Sequence, residues 1–384
     1  MSTMDMSTSL QLLGGLSPHT FMRRHWQKQP LLVRQALPGM APPLSRPELF
    51  RLALQPGVEA RVVQHGAHGW SLQRSPLVRR HIPAVKTPRW TLLVQGLDLH
   101  VRAAHELLQP FRFIPDARLD DLMISYATDG GGVGPHLDAY DVFLIQVHGR
   151  RRWRIGPVSR PSLMPGLPLK ILRHFKPEHE WVLEPGDLLY LPPRWGHDGV
   201  AIGECMTCSV GFRVSSDVEL ASEVLTRVAE ATLDEAGDHD GTLYTDATQA
   251  ATSHPARVPL ALQRFAARAV KQALRSPQAL HTALGETLSE PKPSTWFDPG
   301  PTLAELLNQH GGVILSPRSR MLYDDHCIYL NGESFRARGN DAVWMHRFAD
   351  TRALSAKEVA RLGKGAQSLL DTWCQDGWVI GVRE

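Results

Sequence analysis

The chain is short of cysteine, short of net charge, and has no long apolar run. Its four cysteines, Cys205, Cys208, Cys327 and Cys374, are scattered through 384 residues. That is too sparse for a disulfide framework and fits a reducing compartment. With 42 basic and 39 acidic residues the formal charge is only +3. The charges are dispersed rather than massed in a tail, which permits a nucleic-acid or ribosomal partner without arguing for one. No stretch approaches the roughly 20 apolar residues of a membrane span. The first 17 residues lack the basic start and apolar core of a signal peptide. The expectation is a cytoplasmic protein with no membrane partner. Internal repeats and low-complexity tracts are missing too, and the length implies two or three domains.

What is present is a dense series of strand patterns between 120 and 214: 122–127, 139–148, 151–155, 180–183, 187–191 and 205–213. Glycine and proline turns such as "HGRR", "EPGD" and "PPRWGH" separate them. Many short strands so punctuated predict a mainly β domain, a jelly roll or related barrel. In front of it lie a short helix over 17–28 with Ser17 as cap and Pro18 in the first turn, an extended piece at 30–37, a strand at 89–97 and a helix at 103–111.

The periodicity changes near Val214. Residues 215–236 and 260–274 carry the broad apolar stripe of amphipathic helices, and 276–288 restarts with Ser276 as cap and Pro277 behind it. Such faces bury against one another or against a second copy, so dimerisation is expected here. A proline-rich linker at 290–301 follows. Residues 301–384 then read as a short helix, a strand pair turning at Asn331-Gly332, two or three helices and the strand-like "GWVIGV". That order is compatible with a winged helix. The expected division is a catalytic domain at 1–214, a helical dimerisation region at 215–289 and a winged-helix-like domain at 301–384.

The most telling stretch is "GVGPHLDAYDVF" at 132–143. Two residues apart in an extended chain point the same way, so His136 and Asp138 can aim an imidazole and a carboxylate at one point. A third ligand is available in His197, which ends the rigid "LYLPPRWGH" turn. Two histidines and one carboxylate on one face leave the remaining positions of an octahedral ion open, the arrangement of non-haem iron(II) oxygenases. A structural zinc site would be closed and richer in thiolate. Taken alone, a His-x-Asp pair is more often a turn histidine beside a capping carboxylate. The glycine approach, the apolar "DVFLIQV" and a second histidine some sixty residues on raise it above that.

In "GRRRWRI" at 149–155, alternation puts Arg151, Trp153 and Ile155 on one face and Arg150, Arg152 and Arg154 on the other. Arg151 is therefore directed inward, and a buried guanidinium needs a partner. Two partners fit: the carboxylate of a 2-oxoglutarate co-substrate, with Ser125 or Tyr126 as a second donor, or a structural acid such as Asp141 or Asp187. The sequence leaves both open.

Three lesser signals remain. Cys205 and Cys208 lie three apart in a strand and face opposite sides, which makes them core-filling residues rather than a ligand pair. The triple glycine at 130–132 has no lysine or helix start behind it, so it serves a close backbone passage rather than a phosphate loop. Arg194 and Trp195 read as rim residues, and Thr207 as a candidate liner of the co-substrate pocket.

The segments 120–156, 183–199 and 209–213, with 16–37 and 90–99 before them, closely resemble the bacterial ribosomal oxygenases of the JmjC/cupin superfamily, and the similarity covers essentially the whole chain. The resemblance implies a double-stranded β-helix catalytic domain, a helical dimerisation region and a C-terminal winged helix. It also implies dependence on Fe(II) and 2-oxoglutarate and hydroxylation of the β-carbon of an arginine in large-subunit ribosomal protein sixteen. By motif position the iron ligands fall on His136, Asp138 and His197, and the co-substrate contacts on Ser125 and Arg151. The pattern departs from the family at Asp129, where the family has proline, and at Thr207 and Cys208, where it has asparagine and tyrosine. An arginine substrate would need an acidic or aromatic pocket, for which Tyr140, Asp129 and Asp120 are candidates, each with an ordinary structural reading as well. The rival readings are a ribosomal-protein histidine hydroxylase, a demethylase of methylated lysine, and a non-enzymatic cupin sensor whose winged helix binds DNA.

Overall fold

Strand by strand, the alternation between 120 and 214 becomes one antiparallel sheet. The computed structural model describes residues 5–236, 242–251 and 254–382. The strands are β1 (Leu31–Val33), β2 (Ala60–Gly66), β3 (Gly69–Arg74), β4 (Trp90–Val94), β5 (Leu119–Ala127), β6 (Val142–Pro157), β7 (His179–Leu183), β8 (Leu188–Leu191) and β9 (Trp195–Phe212). They run in the order β1-β8-β6-β9-β5-β4-β2-β3, with β7 paired to β6.

Two strands exceed the sequence expectation. The pieces expected at 139–148 and 151–155 are one strand, β6, and the piece expected at 205–213 begins ten residues earlier, at Trp195. Both extensions have the same cause. β6 and β9 pair almost end to end, and the register shifts between Gln146 and His148 and again between His148 and Arg150. Gly149 sits at this irregularity with φ +60°, and a Cβ there would meet the Glu204 carbonyl oxygen at 2.0 Å. Only glycine combines that backbone with that proximity, so what reads as a turn is a bulge inside a continuous ladder.

The first half of β6 is buried on both faces: Phe143 and Ile145 join one core cluster, Val142 and Leu144 another. The larger cluster gathers the N-terminal helices α1 (Pro18–Arg24), α2 (Arg46–Leu52) and α3 (Arg102–Leu108) onto the sheet. Ser17 caps α1 by accepting the Thr20 N–H, with Pro18 in the first turn as expected. From α1, Phe21 packs edge-on against Tyr190 at 4.9 Å and lies 5.5 Å from Phe143, fixing the N-terminal elaboration to the strands next to the candidate site.

The second unit contains α4 (Asp217–Ala236), α5 (Leu260–Ala273), α6 (Pro277–Ser289), α7 (Leu303–His310), β10 (Gly312–Leu315), β11 (Met321–Tyr323), β12 (Ile328–Leu330), β13 (Glu333–Phe335), α8 (Gly339–Thr351), β14 (Ala353–Ser355), α9 (Ala356–Val359), α10 (Lys364–Gln375) and β15 (Val379–Gly381). These form two small sheets, β14-β10-β15 and β11-β12-β13. The expected strand pair around Asn331-Gly332 is thus a three-stranded meander. Residues 215–289 and 301–384, expected as separate regions, fall in one compact unit (215–292 with 297–384), while 1–214 with 293–296 form the other. The reason is local: α6 lies on the meander, with Gly285 beneath the Tyr329 ring and the His281 carbonyl 3.4 Å from the Tyr329 hydroxyl, which donates to Asp324 at 2.7 Å.

Replacing Gly149 with alanine tests the bulge. The strained backbone and the clash with the Glu204 carbonyl should cost about 1–3 kcal/mol. Thermal unfolding should shift to lower temperature while the same substitution at Gly203, where a Cβ meets nothing, gives a smaller loss from its positive φ alone.

Candidate metal centre

The glycine-rich segment is laid along the first half of β9. Gly130 N–H donates to the Ala201 carbonyl (3.0 Å) and Ala201 N–H to the Gly131 carbonyl (2.9 Å); further on, His136 and His197 exchange both backbone bonds at 3.0 and 2.9 Å. This closeness is why glycines are needed. A Cβ on Gly131 would stand 2.5 Å from the Trp90 carbonyl oxygen, and one on Gly132 would stand 2.5 Å from that of Gly199. The segment is an irregular extended run with one isolated bridge, not the ladder strand expected from 139 onward; β6 starts at Val142.

Because His136 and His197 are a directly bonded cross-strand pair, their rings lie on the same side, with centroids 4.2 Å apart. Asp138, two residues on, brings Oδ2 to 3.5 Å from His197 Nε2. One ligand atom from each of the three lies within 4.8 Å of the others. The supporting contacts repeat: His136 Nδ1 faces the Gly134 carbonyl at 3.0 Å, and His197 Nδ1 faces the Trp195 carbonyl at 3.1 Å. Each carbonyl can only accept, so each contact calls for the proton on Nδ1, the tautomer whose Nε2 can take a metal. His197 is 3% exposed. Burial, reinforced by the neighbouring His136, lowers its pKa to about 4, so it is neutral at pH 7.

The loop that carries Asp138 is pinned by its neighbour Asp141. That fully buried carboxylate accepts from the Tyr190 hydroxyl at 2.5 Å and from Gln27 Nε2 at 3.2 Å, and lies 3.8 Å from Arg118. Asp187 is engaged as well, with Arg34 at 2.6 Å and the backbone N–H groups of Gln35 and Glu184. Neither structural acid named as a partner for Arg151 serves it.

Arg151 is 4% exposed. It occupies the face shared by Trp153 and Ile155, and its guanidinium lies 5.6 Å over the Trp153 ring, whose centroid is 5.9 Å from that of His197. Gly199 makes the room: a Cβ there would sit 2.6 Å from the Trp153 ring. Its hydrogen bonds among the described residues leave from one nitrogen, Nη1, to Ser125 Oγ at 2.9 Å and Thr207 Oγ1 at 3.3 Å. Nε is buried with no partner. A buried guanidinium facing hydroxyls alone is an expensive arrangement, and an anionic group of bidentate shape relieves it. On the shared face, Arg151 pairs with Ala201 and Ile155 with His197, four residues apart or roughly 13 Å along the strands. A five-carbon dicarboxylate is short enough to lie within that span. The donor set and the unpaired cation therefore fit iron(II) and 2-oxoglutarate.

The remaining expectations separate. Cys205 and Cys208 are both buried and belong to different clusters. Asp129 spends its carboxylate on the Gly203 N–H at 2.8 Å, an exposed turn contact rather than a substrate-facing one. Asp120 lies 3.5 Å from Arg213 Nε. Tyr140 is 40% exposed and stands among Asp138, Asp121 and Asp120, whose charges, after burial, push its hydroxyl pKa up. Tyr126, the other possible second donor, packs into the core against Trp90 and Phe50. Sequence reasoning did not single out Gln146, whose amide contacts Thr207 at 2.9 Å. Strict alternation assigns it to the face opposite Arg151, and only the bulge brings the two together.

Comparison with known proteins assigns the class of this centre. Residues 106–220 match the JmjC domain family, and residues 269–379 match the ROXA-like winged helix. The chain is 33% identical to the ribosomal protein uL16 3-hydroxylase of Escherichia coli over 322 residues, 82% of this chain and 84% of that one. The crystal structure of E. coli YcfD superposes with a TM-score of 0.81 at 31% identity, covering 95% of this chain and 98% of that chain. A structure of that ribosomal oxygenase in complex with cobalt and 2-oxoglutarate matches with a TM-score of 0.77 at 30% identity, over the same shares. The mainly β unit is a JmjC/cupin jelly roll, and the second unit carries a winged helix. The chain belongs to the ribosomal oxygenase family of JmjC proteins and is an enzyme of the 2-oxoglutarate-dependent class. Among the described residues no helix is long and apolar enough to cross a membrane.

His197→Ala should abolish iron retention in metal analysis after desalting, with an unchanged far-UV circular dichroism spectrum. Gly199→Ala should displace Trp153 and weaken iron and 2-oxoglutarate binding together, since that ring touches both ends of the site.

Proposed function

We propose that this chain hydroxylates the β-carbon of an arginine in large-subunit ribosomal protein uL16, using iron(II) and 2-oxoglutarate. The observation that carries the reading is Arg151: a buried guanidinium with no acid of its own, on the same sheet face as a three-ligand set with open sides. Iron(II), dioxygen and 2-oxoglutarate together supply an oxidant that inserts one oxygen atom into a C–H bond while the keto acid leaves as succinate and carbon dioxide. His136, Asp138 and His197 would hold the metal, the two imidazoles oriented by the Gly134 and Trp195 carbonyls. Arg151 would take the remote carboxylate, with Ser125 fixing its orientation. The low exposure of Arg151 and His197 keeps water from competing there. Tyr140 and Asp120 form an aromatic and acidic rim beside Asp138 suited to a cationic side chain, and Asp129 drops out of that set because the Gly203 N–H occupies it.

The sensor reading needs neither an open coordination face nor an unpaired buried cation. Histidine hydroxylation is the nearer rival, and the acidic rim favours arginine. The chain acts as a homodimer in the cytoplasm: Val218 and Leu225, seven apart on α4, are 74% and 48% exposed, and Val270 on α5 is 60% exposed, an apolar surface suited to a second copy.

With iron(II), ascorbate and a peptide from uL16, the protein should convert 2-oxoglutarate to succinate and add the mass of one oxygen to an arginine. A mass gain on histidine, or none, would refute the assignment. Arg151→Lys should raise the KM for 2-oxoglutarate by about tenfold or more, because a point charge replaces a bidentate fork. Tyr140→Ala should raise the KM for the peptide instead. Light scattering should return twice the chain mass, falling to one on Leu225→Glu.

A further inference from the structure

Hydrogen-bond direction at Arg151 is fixed by a residue that never touches it. The Gln146 amide nitrogen donates to the carbonyls of His148 at 2.8 Å and Gly149 at 3.2 Å. That identifies its nitrogen end, so Oε1 is the atom 2.9 Å from Thr207 Oγ1. A carboxamide oxygen only accepts, and Thr207 must therefore donate its one proton to Gln146. The lone pairs of Oγ1 are left facing Arg151 Nη1 at 3.3 Å. Ser125 is committed in the same sense: its hydroxyl donates to the Thr207 carbonyl at 3.3 Å and accepts from Nη1 at 2.9 Å. The three strands make this possible, since Thr207 on β9 is directly opposite both Ser125 on β5 and Gln146 on β6. Ser125, Gln146, Arg151 and Thr207 are all 4% exposed or less.

Both hydrogens of Nη1 thus have an acceptor, and neither hydroxyl has a proton left for a ligand. Rotation of the guanidinium would break two bonds. The edge left without a partner is the one that carries Nε, the side-on edge that meets a carboxylate with two parallel N–H bonds. We propose that Gln146 and Thr207 are positioning residues which, with Ser125, lock Arg151 so that its Nε edge receives the remote carboxylate of the dicarboxylate co-substrate. Ser125 then acts on the co-substrate through Arg151 rather than as a second donor to it. The inference rests on the 2-oxoglutarate reading of the site.

The test uses the full chain loaded with manganese(II), with N-oxalylglycine, a non-reacting analogue of 2-oxoglutarate, as the probe in calorimetry. Thr207→Val keeps the shape and removes the acceptor; Gln146→Met removes the group that orients it. Each should weaken N-oxalylglycine about tenfold and leave manganese affinity unchanged, and Thr207→Ser should restore wild-type binding. In turnover, the KM for 2-oxoglutarate should rise tenfold with kcat within about twofold. The two substitutions lie on different strands, so one that fails to fold leaves the other to decide. Wild-type affinity in Thr207→Val or Gln146→Met would overturn the proposal, as would Thr207→Ser binding as weakly as Thr207→Val. A wild-type chain that binds manganese but no N-oxalylglycine would instead overturn the co-substrate reading, and this proposal with it.

Discussion

Two backbone hydrogen bonds between His136 and His197 hold the candidate centre together. They join a segment with almost no regular structure to the longest strand of the sheet, and they convert a separation of sixty-one residues in sequence into adjacent side chains. The neighbouring features serve that junction. Gly131 and Gly132 let two backbones approach within the distance a Cβ would occupy, Asp141 ties down the far end of the loop, and Gly199 opens the floor for Trp153. Each imidazole then inherits its orientation from a carbonyl two residues back on its own chain. The geometry is preorganised by main chain, which does not rotate away as a side chain can.

Burial distributes roles among residues of the same type. Five arginines would look alike along 149–160, yet Arg154 reaches Asp198 at 2.5 Å, Arg150 is exposed, and Arg151 is enclosed with two hydroxyls. The acids that could have neutralised Arg151 are claimed by Tyr190, Gln27 and Arg34. Enclosing a cation without its counter-charge costs stability, and that cost is sensible only where a ligand brings the charge. The same reasoning separates Asp138, left partly open beside two imidazoles, from Asp141 and Asp187, which are satisfied and structural.

The second unit follows local rules closely. Thr302 and Ser355 cap their helices with reciprocal Glu305 and Glu358 bonds, and Ser276 caps α6 just ahead of Pro277. Such signals are short-range and survive in the sequence, so its helices were legible. Its grouping was not: the linker composition at 290–301 suggested a boundary, while α6 in fact rests on the β11–β13 meander through Gly285 and Tyr329. Packing of that kind depends on which glycine faces which ring, and no periodicity records it.

The sequence by itself determined the strand-rich class, the helix starts, the inward direction of Arg151 and the trio His136, Asp138 and His197, because alternation, capping and ligand chemistry are properties of neighbouring residues. Only the tertiary structure decided that β6 and β9 run through their apparent turns, that Asp129 is a turn acceptor, and that Gln146 faces Thr207. Those outcomes hang on a bulge at Gly149 that shifts the register between two strands, and register is a relation between distant segments, set by what the whole sheet can bury at once.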